Sequence, residues 1–323
     1  MTIKSSGSLT FTEIETEWDL GSKPWSMSEL YAGGSAVYAG AEDGSGNAIP
    51  SSGNPISFSD FYDTTYFQTT SESSTTGTVA VPAAANAIYI VTAFGAGGGG
   101  YTGAEYDKAG GESAGSGGGG GAYAAGVYLG VTGGTNLTIS VGSGGAGTDR
   151  QVGGTSIMYS GNAGSGGATT IVNSSGTTIL SLGGGTGAAA SGGGVKGPLR
   201  SNHAGNQGTA SVSGQVTSGT TSSGVSLGSG TTASGSPGVT AGNCSGDNCR
   251  IGGGAGGNAG NGSGGGSGGS SSGLGTDGGD GGTGAGGGGG AGQVTFNSSH
   301  SDAVTAGGDG GDGSITYQFV RYS

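Results

Sequence analysis

The chain has 323 residues, 87 of them glycine, and a net charge of -12 from 20 acidic against eight basic residues. Leu, Ile, Val and Phe make up about 14% of it, under the roughly 20% at which disorder becomes the ordinary expectation, so order has to come from something other than a large apolar core. So few basic residues on an acidic chain argue against nucleic-acid binding, and no run approaches the roughly 18 apolar residues of a membrane span.

Residues 1–62 differ in kind from the rest. Both tryptophans, Trp18 and Trp25, lie here, with eight of the twenty acids. Met1–Ser5 has no apolar stretch of the signal-peptide kind. Three Ser/Thr-x-x-acid spacings, Thr12/Glu15, Ser26/Glu29 and Ser57/Asp60, predict short helical turns. Each lies beside apolar residues: Ile14 and Trp18, Leu30 and Tyr31, Phe58 and Phe61. Turns this short cannot bury a core alone. Residues 63–77, which include "TTSESSTTG", read as a polar hinge.

From residue 78 onward, short alternating segments predict strands. They are "TVAV", "AIYIVTAF", Tyr123 to Val131, Leu137 to Val141, "TTIVNSSGTTILSL", "QVTF" and Ile315 to Phe319. "NSSG" at Asn173–Gly176 has the composition of a hairpin loop. No heptad or long helical pattern occurs. The predicted class is mostly β and irregular, a small antiparallel β-sandwich with little α-helix.

Between these strands the glycines keep a period of three. Gly254, Gly257, Gly260, Gly266 and Gly269 share a phase broken by Ser263, while Asn258, Asn261, Ser267 and Ser270 share another. Gly275, Gly278, Gly281, Gly284, Gly287 and Gly290 share a phase without a break, and Asp277, Asp280 and Thr283 share another. "GGDGGDG" at Gly307–Gly313 repeats the layout with Asp309 and Asp312. Three residues per turn is the period of the polyproline-II-type helix. Collagen needs one glycine per triplet and much proline, whereas this chain often has two glycines per triplet and only six prolines. Two bare faces predict a bundle of polyglycine-II helices packed side by side. Their backbone groups have no partners within one helix and must pair between helices. The third phase is expected to face water. Aspartates three residues apart on one such helix stand about 9 Å apart, too far to share an ion, so they read as a solvated ridge. Lys196–Arg250 is Ser/Thr-rich with patchy glycine phase, and the bundle is not expected to run through it.

Chemical motifs are sparse. Cys244 and Cys249 in "NCSGDNCR" can close a small disulfide loop, remain thiols, or ligate a metal, for which no partner pair is present. His203 and His300 are isolated, no nucleophile elbow with triad partners exists, and Gly-x-Gly-x-x-Gly outside a strand-to-helix context carries no meaning. No enzyme activity, metal site or cofactor is expected.

The ordered set "TVAVPAAANAIYIVTAFGAGGGG", "GGGGGAYAAGVYLGV", "NLTISVGSGG" and "GGDGGDGSITYQFVRYS" resembles the glycine-rich domain of phage tail fibres and adhesins, over about residues 78–323. "GSKPWSMSELYAGG" and "SFSDFY" in residues 1–62 resemble an N-terminal module of phage tail proteins that mounts them on the virion. The resemblance implies a virion protein made in the host cytoplasm without a signal peptide. Its implied partners are other tail or fibre proteins and a host-cell surface receptor, protein or glycan. Nucleic acid and membrane insertion are not implied. A homotrimer and a monomer on a trimeric fibre both fit. Trp18, Trp25, Leu30, Tyr31, Phe58 and Phe61 are the candidate attachment residues. Candidate receptor contacts, chosen by side chain, are Tyr101, Tyr106, Lys108, Arg150, Gln151, Lys196, Arg200, Asn202, His203 and Arg250. A purely structural tail component and an ice-binding polyglycine-II protein are the alternatives. The latter wants a flat Thr or Ala face and leaves residues 1–62 unexplained.

Overall fold

A computed structural model describes residues 7–10, 12–14, 30–31, 49–61, 76–81, 85–102, 112–113, 115–148, 162–191, 201–218, 229–240, 243–244, 250–270, 276–286, 292–293 and 305–320. Its strands in chain order are β1 (Gly77–Ala80), β2 (Ala87–Phe94), β3 (Glu112–Ser113), β4 (Tyr123–Gly130), β5 (Asn136–Ser140), β6 (Thr169–Val172), β7 (Thr178–Leu182), β8 (Ala189–Ser191), β9 (Ser201–His203), β10 (Ala210–Val212), β11 (Thr231–Ala233), β12 (Asn243–Cys244), β13 (Arg250–Ile251), β14 (Gly292–Gln293) and β15 (Ser314–Val320). Among the described residues, helix is confined to residues 12–14 and the 3-10 turn Phe58–Phe61. The protein is mostly β and irregular, as its alternating segments predict.

Two antiparallel sheets make the sandwich, ordered β1-β5-β6-β7-β10 and β11-β4-β2-β15. Alternation puts Leu137, Ile139, Ile171, Leu180 and Leu182 on the inner face of the first. Ile88, Ile90, Val127, Leu129, Ile315, Tyr317 and Phe319 face them from the second. The alternation expected from Tyr123 to Val131 does not hold throughout. Ala124 joins the core with Val127 and Leu129, while Tyr123 packs on Phe94 at 5.0 Å. The phase changes at Gly126, whose φ is +67°, and at Val91, where the register with β15 shifts. One irregular residue per strand moves every later side chain to the other face. The β6–β7 loop is the expected hairpin. Asn173 Oδ1 accepts from Ser175 and Thr177 N–H at 3.1 and 2.9 Å, and Gly176 takes φ +82°.

Of the three helix-start pairs, Ser57/Asp60 forms, with the Ser57 N–H donating to Asp60 at 2.7 Å. The first lies two residues earlier than Thr12/Glu15. The Thr10 N–H donates to Glu13 at 2.7 Å and the Glu13 N–H to Thr10 Oγ1 at 3.3 Å, because Thr12 is already inside the turn. Ser26/Glu29 lies outside the described residues.

The glycine segments between strands carry neither α-helix nor strand, and their hydrogen bonds repeat every three residues, the polyglycine-II period; they are here called helices p1 to p12: 95–102, 115–122, 141–148, 162–168, 183–188, 204–209, 234–240, 252–259, 263–270, 276–282, 284–286 and 305–313. Their hydrogen bonds show why the period is three. Along p1, Gly95, Gly98 and Tyr101 donate to p2, Ala96 and Gly99 to p4, and Gly97 and Gly100 to p12. The carbonyls of Gly97 and Gly100 accept from p3, and those of Ala96 and Gly99 from p5. A Cβ on Gly97 would stand 1.8 Å from the Ala285 carbonyl oxygen of p11. Helix p1 thus has six neighbours: p2, p3, p4, p5, p11 and p12.

By the same contacts p2 touches p1, p5, p6, p7, p8 and p11, and p11 touches p1, p2, p8, p9, p10 and p12. Three mutually adjacent inner helices are therefore enclosed by nine, among the described residues. Residues 95–101, 115–122 and 284–286 are buried in every phase. In the outer helices one residue in three is exposed: Asn162 and Ser165, Asn258 and Ala255, Ser267 and Ser270, Asp277 and Asp280, Asp309 and Asp312.

Glycine is needed here for size rather than for backbone freedom. Among the described glycines of p1 to p12 and the turns joining them, only Gly262 and Gly284 have positive φ, and both mark reversals. At many other positions a Cβ would meet a neighbouring backbone at about 2 Å, as at Gly98, Gly117, Gly120 and Gly310. Fixing glycine costs roughly 0.5–1 kcal/mol more than fixing alanine. A net backbone hydrogen bond contributes about 0.5–1.5 kcal/mol, so close to one bond per residue is enough to offset it.

The unbroken glycine phase expected from Gly275 to Gly290 is broken in space. The chain turns at Thr283–Gly284 and passes from outer p10 to inner p11. The break at Ser263 follows a similar turn at residues 260–262, between p8 and p9. Nor does the bundle skip Lys196–Arg250. That segment contains β10, β11, p6 and p7, and p6 and p7 both bond to p2. These two outer helices need few glycines, since one phase faces water and an edge N–H such as that of Asn206 donates to a side-chain oxygen.

Candidate functional site

Odd-numbered helices run away from the sandwich and even-numbered helices run back. Helices p1, p3, p5 and p7 leave β2, β5, β7 and β11, while p2, p4, p6 and p12 lead into β4, β6, β10 and β15. The turns p8–p9 and p10–p11 lie at the sandwich end, since the 260 end of p8 pairs with Gly121 and Gly284 O accepts from Gly121. It follows that the other six connections, residues 103–114, 149–161, 189–203, 241–251, 271–275 and 287–304, all start and finish at the far end. We call that end the tip.

The polypeptide reaches the tip through short strand pairs. β3 pairs with β12 (Glu112 with Cys244, Ser113 with Asn243) and β13 with β14 (Arg250 with Gln293, Ile251 with Gly292). β8 pairs with β9, setting Ala190 opposite Asn202 and Ala189 opposite His203.

The candidate receptor residues can be placed on this frame. Asn202 and His203 lie on β9 and Arg250 on β13, all at the tip. Tyr106, Lys108, Arg150, Gln151, Lys196 and Arg200 lie outside the described residues, within connections that begin and end there. Tyr101 is corrected. It is 3% exposed, the last buried residue of p1, and its N–H donates to the Ser116 carbonyl at 2.9 Å. Its ring is enclosed by protein and is not presented to an external ligand. Side-chain type alone cannot distinguish a tyrosine that plugs the end of a helix from one that stands out of a loop. Thr148, Ser116 and Thr305 are buried beside or near the same end, and Thr148 Oγ1 accepts from the Thr102 N–H at 2.6 Å. A polar buried layer thus closes the glycine bundle under the tip.

Cys244 lies on β12, and Cys249 lies outside the described residues.

Among the attachment candidates, Leu30 and Phe61 are fully buried, as is Ile14, and Tyr31 is half-buried. Phe58 is 39% exposed. Trp18 and Trp25 lie outside the described residues. Leu30 and Phe61 are therefore closed to a partner, and among the described members of the set Phe58 is the most exposed.

The aspartate ridge is more than solvated charge. The N–H groups of Ala306 and Asp309 donate to Asp277 and Asp280 at 2.8 and 2.9 Å. Those of Gly144 and Gly147 donate to Asp312 and Asp309, both at 2.7 Å. The outermost helices lack a neighbour on their water side, so some N–H groups there have no carbonyl to meet. A carboxylate from the next helix supplies the acceptor. Thr186 with the Asn206 N–H and Ser236 with the Asn258 N–H, each at 2.7 Å, do the same elsewhere on the rim. Away from the tip, Tyr89 and Tyr128 stack at 4.5 Å on the outer sheet face, and burial together with Tyr89 raises the Tyr128 hydroxyl pKa.

Comparison with protein-family models gives no match, and comparison with curated proteins gives none either.

Proposed function

We propose that this chain is a receptor-binding adhesin of a phage tail or tail fibre. The observation that carries the reading is the gathering of six connections at one end of a hydrogen-bonded bundle. Those connections hold Tyr106, Lys108, Arg150, Gln151, Lys196, Arg200, Asn202, His203 and Arg250. A rigid base lowers the entropy lost when loops bind, and loops rich in Ser, Gly and Asn with sparse Tyr suit adaptable recognition. Residues 1–62 mount the chain on the virion, with Phe58 at the contact. The partners are then tail or fibre proteins at one end and a host-cell protein or glycan at the other.

Binding of the purified chain to host cells tests this. Lys196→Ala combined with Arg200→Ala is expected to weaken adsorption with melting unchanged, because basic groups on an acidic protein suit anionic surface groups. Purified chain that neither binds host cells nor competes with particles for them would leave a purely structural tail component.

A further inference from the structure

We propose that Asn261 is a site of spontaneous covalent modification. Its side chain closes on the Gly262 nitrogen and reopens in water as aspartate or isoaspartate. The proposal is independent of the adhesin reading and can fail without touching it.

Of all the asparagines in the chain, only Asn261 precedes a glycine. It is exposed, in the reversal at residues 260–262 between p8 and p9. Gly262 has φ +85°, and nothing lies within 4 Å of where its Cβ would stand. No side chain therefore crowds the ring that closure forms, and water has access to it. The Ser263 N–H donates to Asn261 Oδ1 at 2.8 Å. That bond folds the side chain back over the Gly262 peptide and brings Cγ towards the attacking nitrogen. It also places a donor on the oxygen that gains negative charge during the attack. One bond opposes the step. The Gly262 N–H donates to the Ala259 carbonyl at 2.8 Å, but this is a bond of an exposed turn and not one between packed helices.

The chemistry balances with water alone. The Gly262 nitrogen gives up its proton and bonds to Cγ of Asn261, the Cγ–Nδ2 bond breaks, and ammonia leaves. Water then splits the cyclic imide. Cleavage at the side-chain carbonyl gives aspartate. Cleavage at the main-chain carbonyl gives isoaspartate, whose main chain is one carbon longer.

Comparable residues lack this combination. Asn173 makes the same kind of bond, with Oδ1 accepting from the Ser175 N–H at 3.1 Å, but Ser174 follows it and brings a side chain to the ring. Asn258 Oδ1 accepts from the Gly265 N–H at 2.9 Å across p8 and p9, and Ala259 follows it. Asp277, Asp280, Asp309 and Asp312 precede glycines, but the N–H groups of those glycines donate to carbonyls of neighbouring outer helices.

The reversal sets p8 against p9. The Ala259 N–H donates to the Ser263 carbonyl at 3.0 Å and the Gly256 N–H to that of Gly266 at 2.9 Å. An added main-chain carbon at residue 261 shifts this register, so isoaspartate loosens p9 from p8, whereas aspartate only adds charge.

The test is incubation of the purified full chain at mildly alkaline pH, followed by peptide mass mapping and by labelling with a methyltransferase specific for isoaspartate. Conversion at Asn261 is expected to run about tenfold or more faster than at Asn173 and Asn258, and within about tenfold of its own rate in denaturant. Amide exchange at Gly256 and Ala259 should speed up in the aged chain. Asn261→Gln, whose longer side chain does not form the five-membered ring, should keep its original exchange after the same incubation. Conversion at Asn261 no faster than at Asn173, or seen only after denaturation, would overturn the proposal. Aged chain that carries isoaspartate yet exchanges like Asn261→Gln would overturn the loosening of p9.

Discussion

The main-chain N–H of Asp309 donates to Oδ1 of Asp280 at 2.9 Å, and the Asp309 carboxylate accepts in turn from the Gly147 N–H at 2.7 Å. Three helices, p10, p12 and p3, are laced by two exposed side chains of one residue type. Asp280→Asn keeps an oxygen at the same place and is expected to stay within about 0.5 kcal/mol of the parent. Asp280→Ala removes the acceptor and leaves the Asp309 N–H to water, at a cost of about 1 kcal/mol. Chemical denaturation of the two variants side by side measures the difference. Equal stabilities for Asn and Ala would mean that the bond contributes nothing.

Glycine positions divide by what surrounds them. At Gly97 a Cβ would stand 1.8 Å from the Ala285 carbonyl oxygen, and at Gly281 it would stand 2.1 Å from the same atom. Gly97→Ala and Gly281→Val should each lower the melting temperature sharply, since the obstacle is backbone and cannot rotate away. Gly284→Val should also destabilise, but because of φ +71° and the nearby Phe94 ring. Gly264 has nothing within 4 Å, so Gly264→Ala should be neutral or gain up to about 1 kcal/mol by restricting the unfolded chain. Thermal melting of the set decides the matter. Tolerance of Gly97→Ala would refute close packing in the bundle.

Tyr101 provides a test of its corrected role. As a buried plug at the end of p1, Tyr101→Ala should cost about 3–5 kcal/mol, in the range of other buried aromatic truncations. Tyr101→Phe should keep most of that packing. A Tyr101→Ala variant that melts like the parent yet fails to adsorb to host cells would return this residue to the receptor face.

Deletion of residues 1–62 should leave a folded glycine-rich domain that no longer joins the particle. The sandwich core draws on residues from Val79 to Phe319, with no described member before them. Circular dichroism with melting, and immunoblotting of purified particles, provide the two readouts. An unfolded remainder would show that the parts share a core, and particles that still carry the truncated chain would place the mount elsewhere.

Much of the architecture was legible because its causes are local. Alternation in β2, β5 and β15 reflects a pleat with one buried face. Period three in the glycine runs reflects three residues per turn and neighbours at van der Waals contact. Even the inner and outer places can be read afterwards: "GAGGGG" and "GSGGGGGA", bare in all phases, are inner, while triplets with Asn, Ser or Asp in the third phase are outer. What lay beyond the sequence was pairing at long range. Gly97 does not announce that it faces Ala285, nor Asp280 that it holds the N–H of Asp309, because glycine triplets are interchangeable and any helix could accept any other. The membership of p6 and p7 was hidden for a related reason, since an outer helix tolerates side chains that an inner one excludes. Tyr101 was misread because burial is set by the packing around a side chain and not by its type. Local composition thus accounts for the repeat, the strands and the need for contact between helices. Which helix lies at the centre, where the connections gather and which polar side chains replace a missing backbone partner follow from long-range packing.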